Sequence, residues 1–121
     1  IMTKKNRKTI CFDIDNVICK TSNSNYKKSK PIKKAIKKIN ELYDSGFKII
    51  LFTSRFMGRT NENKGKAYKM GYKLTKDQLK LWNVNYHKLE MCKPSYDLIV
   101  DDLSLYFKKT WYRDIDQYLK K

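Results

Sequence analysis

Residues 10–18 read ICFDIDNVI, an apolar run that ends in two carboxylates, Asp13 and Asp15. The short apolar run predicts a buried strand over residues 10–15. If the strand still runs at its end, alternation puts both acids on the same side. Buried carboxylates are costly unless a partner or a metal compensates them, which would indicate a functional site. A strand that ends in a polar turn explains the same residues without any chemistry, so the rest of the chain must decide.

The composition is that of a small globular protein. The 121 residues suffice for a single domain, 1–121, and an apolar fraction of 40% allows a core and excludes a disordered basic tail. No apolar run approaches the roughly 20 residues of a membrane span, and the polar lead-in, residues 2–9, does not resemble a signal peptide. The three cysteines (Cys11, Cys19 and Cys92) form no CxxC pair, which is typical of a reduced protein. We therefore expect a cytoplasmic protein.

The net charge of +16 comes almost entirely from lysine and admits two interpretations. A basic surface can bind nucleic acid or another anionic partner. Lysines spread along helix faces also keep a small protein soluble, and the frequent Lys, Asn, Ile and Tyr residues are typical of an AT-rich genome. We favour compositional bias, and nucleic acid remains the alternative partner.

The order of predicted elements is typical of an α/β fold. Residues 19–30 are polar and predict a loop, and apolar residues at helical spacing predict a helix from Pro31 to Gly46. The following segment, residues 47–52, is apolar on both faces, as strands of parallel sheets are. Strand, helix and strand in this order predict a right-handed crossover and a parallel sheet flanked by helices.

The second half of the chain continues with less regular patterns. Glycines in residues 53–74 predict that no long helix forms there, whereas Thr75 and Gln78 form a capping box that predicts a helix start. Further patterns predict a short strand over residues 85–91, a buried strand over 96–100 and a final helix over 110–119.

Reactive residue types follow three of the predicted strands. They are Asp13 and Asp15, Thr53 and Ser54, and Asp101 and Asp102. The carboxyl ends of parallel strands meet at one edge of the sheet, where ligands bind, and Lys93 falls near the same edge. Four carboxylates cannot gather without cations, and oxygen ligands without a convergent His or Cys suit Mg²⁺. The pattern therefore favours phosphoryl transfer.

This order of residues resembles the haloacid dehalogenase (HAD) superfamily of phosphohydrolases. The likeness rests on DIDNV at residues 13–17, Thr53, Lys93 and the acids at 101–102, and it spans residues 10–102. It implies a three-layer, Rossmann-like sheet between helices, and the segments 16–52 and 54–92 leave no room for a cap domain. Two residues depart from the common pattern, because Asn16 replaces a glycine and Val17 replaces a threonine.

The resemblance also implies roles for the residues. Asp13 would be the nucleophile that forms an aspartyl-phosphate, and Asp15 would be the general acid and then the base. Thr53 and Lys93 would hold the phosphoryl oxygens. The implied Mg²⁺ ligands are Asp13, the backbone carbonyl of Asp15, and Asp101, with Asp102 binding directly or through water. Ser54, Arg55 and Arg59 follow the second strand and are candidates for substrate binding, although arginines in loops are commonly solvated.

A closer resemblance links the chain to small HAD proteins of capsule and lipopolysaccharide biosynthesis. It is carried by residues 52–55 (FTSR), Gly65-Lys66, Thr75, Leu81-Trp82, residues 84–86, Lys93-Pro94 and residues 97–102. This resemblance implies a sugar phosphate or a similar small metabolite as substrate. The alternatives are a polynucleotide 3′-phosphatase and a basic nucleic-acid-binding module without catalysis. A site without a cap would be open, so a second subunit could cover it.

Overall fold

The computed structural model describes residues 6–120, so residues 2–5 of the predicted lead-in lie outside it. The strands are β1 (Thr9–Asp13), β2 (Cys19–Lys20), β3 (Lys30–Pro31), β4 (Lys48–Phe52) and β5 (Lys88–Glu90). The α-helices are α1 (Lys33–Asp44), α2 (Lys64–Leu81) and α3 (Trp111–Leu119), and two 3₁₀ turns cover Tyr26–Lys28 and Gly58–Thr60. None of these helices is long and apolar enough to cross a membrane.

A parallel sheet of the order β1-β4-β5 lies at the centre of the described residues. Strands β1 and β4 pair in a register that sets Asp13 beside Phe52, so both strands end at the same level. The segments β2 and β3 form a separate antiparallel ladder after the first strand. The predicted α/β architecture with a parallel sheet flanked by helices is thus confirmed, and residues 6–120 contain no inserted cap domain.

The buried apolar residues form two clusters, and the larger one follows the predicted hydrophobic pattern. Helix α1 buries Ala35, Ile36, Ile39 and Leu42, the residues of its apolar stripe. It ends at Asp44, and the chain then turns at Gly46, whose φ of 102° suits a residue without a Cβ. Strand β4 contributes the fully buried Ile49 and Leu51. Helix α3, confirmed at its predicted position, closes the core by placing Trp111 5.1 Å from the ring of Phe12.

Helix α2 corrects the prediction for residues 53–83. It is one continuous helix that begins after Asn63, whose side chain accepts a hydrogen bond from the Lys66 amide at 3.0 Å. The predicted capping box, Thr75 with Gln78, lies in its interior. Gly71 does not break the helix but allows close packing, because a Cβ there would lie 2.6 Å from Cδ2 of Phe56.

The predicted strand at residues 96–100 is absent from the structure. Residues 91–110 contain neither helix nor strand, and the side chains of Leu98 and Val100 are 81% and 92% exposed. The physical reason is the length of the connection. Lys93 is still bound to the end of β4, because its amide donates to the Thr53 carbonyl. Only two residues then separate it from Tyr96, whereas the connection between two parallel strands takes about a dozen residues.

Substituting Gly71 by alanine should test the close packing of α2. Alanine normally stabilises a helix interior by about 1 kcal/mol over glycine. At this position the added methyl meets Phe56, and overpacking costs about 1–3 kcal/mol. Because the helix gain offsets part of the overpacking cost, we expect Gly71→Ala to lower the free energy of unfolding by up to about 2 kcal/mol in urea denaturation.

Gly65→Ala is the matched control, because the nearest neighbour of its new methyl would be Oδ1 of Asn63 at an ordinary 3.6 Å. It should leave stability unchanged or raise it. Equal stability of the two variants would contradict the packing role of Gly71.

Candidate active site

Asp13 stands at the carboxyl end of β1, beside the basic side chain of Lys93. One carboxylate oxygen accepts a hydrogen bond from the Ile14 amide at 2.8 Å, and the other lies 3.5 Å from Nζ of Lys93. The Lys93 side chain is 12% exposed, and its ammonium also lies 4.9 Å from the ring centre of Tyr96. The structure therefore brings together two of the predicted catalytic residues, which are 80 positions apart in the sequence.

The environment shifts both titratable groups. Burial raises the pKa of Asp13, and the negative charge of Asp15 adds to this, although Lys93 and the Ile14 amide act in the opposite direction. Burial alone would lower the pKa of Lys93, but the hydrogen bond with Tyr96 and the charge of Asp13 outweigh it, so its pKa is raised. A partly desolvated carboxylate beside a retained cation is typical of reactive sites.

A tight loop connects Asp13 to Asp15 and then turns back. The amides of Val17 and Ile18 both donate to the Ile14 carbonyl, at 3.2 and 2.9 Å. Asn16 has a φ of 65°, in the left-handed region that glycine and asparagine adopt most readily. The replacement of the usual glycine by Asn16 is thus compatible with the backbone of this turn.

The carboxylate of Asp15 is held by the guanidinium of Arg55. Nε donates to both carboxylate oxygens at 3.2 and 3.0 Å, and Nη2 donates to one of them at 2.9 Å. The Thr21 hydroxyl donates to the same carboxylate at 2.6 Å. Such bidentate pairs fix the plane and position of the carboxylate.

Arg55 is almost completely buried, with 1% of its surface exposed. Its remaining donors bind Oε1 of Gln78 at 2.5 Å and the Thr75 hydroxyl at 3.3 Å, and the guanidinium lies 5.0 Å from the Tyr26 ring centre. This corrects the expectation that Arg55 faces substrate or solvent, because its donors are directed at protein groups. The burial is possible because every side of the guanidinium finds a partner.

Sequence reasoning missed the partners of Arg55 on helix α2. A signal was present, because Ala67, Gly71, Thr75 and Gln78 recur at helical spacing and form one buried face of small or polar residues. The interpretation of Thr75 and Gln78 as a capping box concealed this face. Thr21, on the loop after β2, has no comparable signal in the sequence.

The other predicted residues lie around this centre in different environments. Thr53 is fully buried after β4, and its hydroxyl accepts the Arg55 amide at 3.2 Å. Ser54 is half-buried and follows it. Arg59 is exposed, donates to the Ser24 carbonyl at 2.6 Å and lies over the rings of Tyr26 and Phe56. Roles of Thr53, Ser54 and Arg59 toward a substrate remain predictions.

The structure does not bring Asp101 and Asp102 to the site, which corrects the expectation that a late strand delivers them. Both are exposed, and Oδ1 of Asp101 accepts the Leu103 amide at 2.9 Å in a local turn. Among residues 6–120, no three His, Cys, Asp or Glu side chains converge as a metal site. Of the implied ligands, the part of the chain that the structure describes then brings together only the Asp13 carboxylate and the Asp15 backbone carbonyl, which are too few to complete a Mg²⁺ site.

Arg55→Lys should strongly destabilise the protein, because lysine keeps the charge but not the planar fork. The substitution leaves Asp15 and Gln78 without their buried partner, and breaking such a pair costs about 3–5 kcal/mol. We expect a loss of about 3 kcal/mol in the free energy of unfolding, measured by urea denaturation. Arg59→Lys is the matched control on an exposed arginine, and it should cost less than about 1 kcal/mol. Similar losses in both variants would contradict the role assigned to Arg55.

Asp13→Asn should stabilise the protein at pH 7. Because the pKa of Asp13 is raised on folding, its ionised form opposes folding at neutral pH. The gain should shrink as the pH falls through the raised pKa of Asp13 and vanish below the ordinary value of 3.8, where the carboxyl is protonated in both states. The measurement is urea denaturation across this pH range in EDTA. The control is Asp77→Asn, which removes only an exposed ion pair with Lys73 and should give no such gain. If Asp13→Asn is less stable than wild type at pH 7, the prediction is refuted.

Two solved structures are similar to this chain, whereas no protein-family model and no curated protein matches the sequence. One is a structural-genomics target from Vibrio cholerae, with a TM-score of 0.81 and 21% identity over 93% of this chain and 97% of that chain. The other is D,D-heptose 1.7-bisphosphate phosphatase from B. bronchiseptica complexed with magnesium and phosphate, with a TM-score of 0.50 and 16% identity. That match covers 94% of this chain and 64% of the phosphatase chain. At these identities the likeness is one of fold, and the fold is HAD-like.

Proposed function

We propose that the protein is a Mg²⁺-dependent phosphomonoester hydrolase that acts through an aspartyl-phosphate on Asp13. The observation that carries the proposal is the pairing of Asp13 with Lys93 at the carboxyl end of β1, next to an Asp15 that is rigidly held. A HAD-like fold adds support, because one structure that shares it is that of a phosphatase complexed with magnesium and phosphate. Fold alone does not determine an activity, which depends on the side chains of the site.

In the first step, an oxygen of Asp13 attacks the phosphorus of the substrate and the bond from phosphorus to the leaving oxygen breaks. For this step Asp15 must be the neutral carboxylic acid, not the carboxylate of its ion pair with Arg55, so that it can give a proton to the leaving oxygen, which departs as an alcohol. Lys93, 3.5 Å from Asp13, would bind the phosphoryl oxygens as negative charge accumulates on them. The hydroxyl of Thr53 is proposed to assist there.

In the second step, water attacks the phosphorus of the aspartyl-phosphate, Asp15 accepts its proton, and phosphate leaves as Asp13 is restored. Arg55 and Thr21 act as positioning residues, because their hydrogen bonds keep the Asp15 carboxyl in one orientation through both steps. Mg²⁺, when bound, would neutralise charge between Asp13 and the phosphoryl group, with Asp13 and the Asp15 carbonyl as its ligands from this part of the chain.

The proposed substrate is a sugar phosphate or a similar small phosphorylated metabolite. The support is the resemblance of the sequence to HAD proteins of capsule and lipopolysaccharide biosynthesis, together with a site that no cap domain among residues 6–120 encloses. The lysine-rich surface is then a solubility feature, and cytoplasmic location is part of the same proposal.

The first experiment measures phosphate release from p-nitrophenyl phosphate with Mg²⁺ or with EDTA. Wild type should turn over only with Mg²⁺, and Asp13→Asn should lose at least about 10³-fold in kcat, because no other group can form the intermediate. Asp77→Asn on the exposed face of α2 should retain wild-type activity.

Equal Mg²⁺-dependent turnover by wild type and Asp13→Asn would refute the proposed nucleophile. A panel of sugar phosphates and 3′-phosphorylated oligonucleotides then decides the substrate class. Preference for the oligonucleotide, with activity that falls steeply as salt rises, would replace the sugar-phosphate proposal. Absence of turnover across the panel, with tight oligonucleotide binding, would favour a non-catalytic module.

A further inference from the structure

Residues 94–104, here called the arm, are apolar yet project into solvent. The arm leaves the body at Ser95, whose hydroxyl and amide donate to Glu62 at 2.6 and 3.0 Å. Beyond it, Leu98, Val100 and Leu103 are 81%, 92% and 90% exposed. The chain regains the core only near Leu105, which packs against it. Contiguous exposed apolar residues of this kind mark a surface that another molecule covers.

The central sheet has a matching open edge. Strand β1 pairs with β4 on one side, and on its other side no strand among residues 6–120 pairs with it. Cys11, in the middle of β1, is exposed. An edge strand presents unpaired amides and carbonyls in a row, which is a template for an added strand. The arm, with its β-branched and apolar residues 98–100, has the composition of such a strand.

The arm of one chain cannot become a parallel strand on its own β1. The Lys93 amide is bound to the Thr53 carbonyl on the β5 side of β4, at the carboxyl end of the sheet. In such a strand Tyr96 would lie beside Lys8. That position is about 24 Å from Lys93, because it lies three strand spacings across the sheet and six residues back along the strand direction. The three steps from Lys93 to Tyr96 span at most about 11 Å.

We propose that the arm of one copy pairs as a parallel strand with the free edge of β1 in a second copy, and that the two copies exchange arms reciprocally. Parallel pairing with Asp101 beside Asp13 sets Ile99 beside Cys11. The exchange forms a closed symmetric dimer, because each copy offers one arm and one edge.

Charge complementarity favours this occupant. The arm contains three aspartates, Asp97, Asp101 and Asp102, and no lysine or arginine, whereas the whole chain carries +16. The rest of the chain therefore carries a formal charge of +19, which is +16 with the three negative charges of the arm set aside. An acidic segment is attracted to the basic body of another copy.

The exchange would also complete the candidate site. Asp101 and Asp102 of the second copy would arrive next to Asp13, and they would supply the oxygen ligands for Mg²⁺ that residues 6–120 of one copy do not bring together. This consequence, and the register that sets Asp101 beside Asp13, rest on the proposed phosphatase function, whereas the exchange of arms does not.

The first test is a disulfide between copies. Ile99→Cys should form a covalent dimer with Cys11 under mild oxidation, because neighbouring strands bring the two Cα atoms within about 5 Å. The dimer should disappear in Ile99→Cys with Cys11→Ser, and it should be weak in Val100→Cys, whose side chain points to the opposite face of the strand. A wild type that is monomeric by light scattering at micromolar concentration would overturn the exchange. A disulfide within one chain, from Cys11 to the cysteine introduced by Ile99→Cys, would overturn it as well.

The second test is complementation by co-expressed variants. Asp13→Asn and the double variant Asp101→Asn with Asp102→Asn should each be inactive alone. In the mixed dimer one site combines an intact Asp13 with an intact arm, so about a quarter of wild-type activity should return. If wild type is active but the mixed dimer recovers no activity, the acids of the arm act within their own copy or lie outside the site. If wild type itself is inactive, the proposed function fails, and the oligomeric state of wild type by light scattering still tests the exchange.

Discussion

The structure around the site depends on one buried ion pair. Arg55 draws together the loop after β1 through Asp15, helix α2 through Gln78, and the ladder of β2 and β3 through Ser29. An ion pair of this kind contributes little net stability compared with an apolar packing, because both charges lose their hydration. Its value lies in specificity, since a guanidinium with all its donors engaged tolerates only one arrangement of these three segments. Asp15 thereby gains a fixed position relative to Asp13, which a flexible loop would not provide.

A second constraint is the geometry of parallel strands. Each added parallel strand requires the chain to return to the start of the sheet, which takes a crossover. The segment after Lys93 carries the residues of a strand but not the connection that would let it join its own sheet. Local propensity and chain connectivity are therefore in conflict within one copy. The proposed pairing between copies would remove the conflict, because the arm would then need no return path.

The sequence predicted those parts of the fold that local patterns determine. The stripe of α1 and the apolar strand β4 have clear patterns, so their positions followed from them. The meeting of Asp13 with Lys93 was expected because the carboxyl ends of parallel strands share one edge of the sheet and because the order of residues resembles the HAD superfamily. The environment of Arg55 could not be predicted, because its partners lie 20 to 40 positions away on elements whose faces were ambiguous. The strand at residues 96–100 was predicted wrongly for the opposite reason. Its local pattern is convincing, and only the length of the connection shows that it cannot join its own sheet.

These two constraints together give an account of why the site is both rigid and incomplete. Arg55 fixes Asp15 in place, and Lys93 stands beside Asp13, so the groups proposed for covalent chemistry are positioned within one copy. The raised pKa of Asp13 indicates that these groups alone leave its charge poorly compensated. Two further carboxylates would increase that repulsion unless a cation arrived with them. In the proposed exchange, a divalent cation would therefore favour the arrival of the acidic arm, and the arm would in turn favour the cation, so that dimer formation and metal binding would strengthen each other.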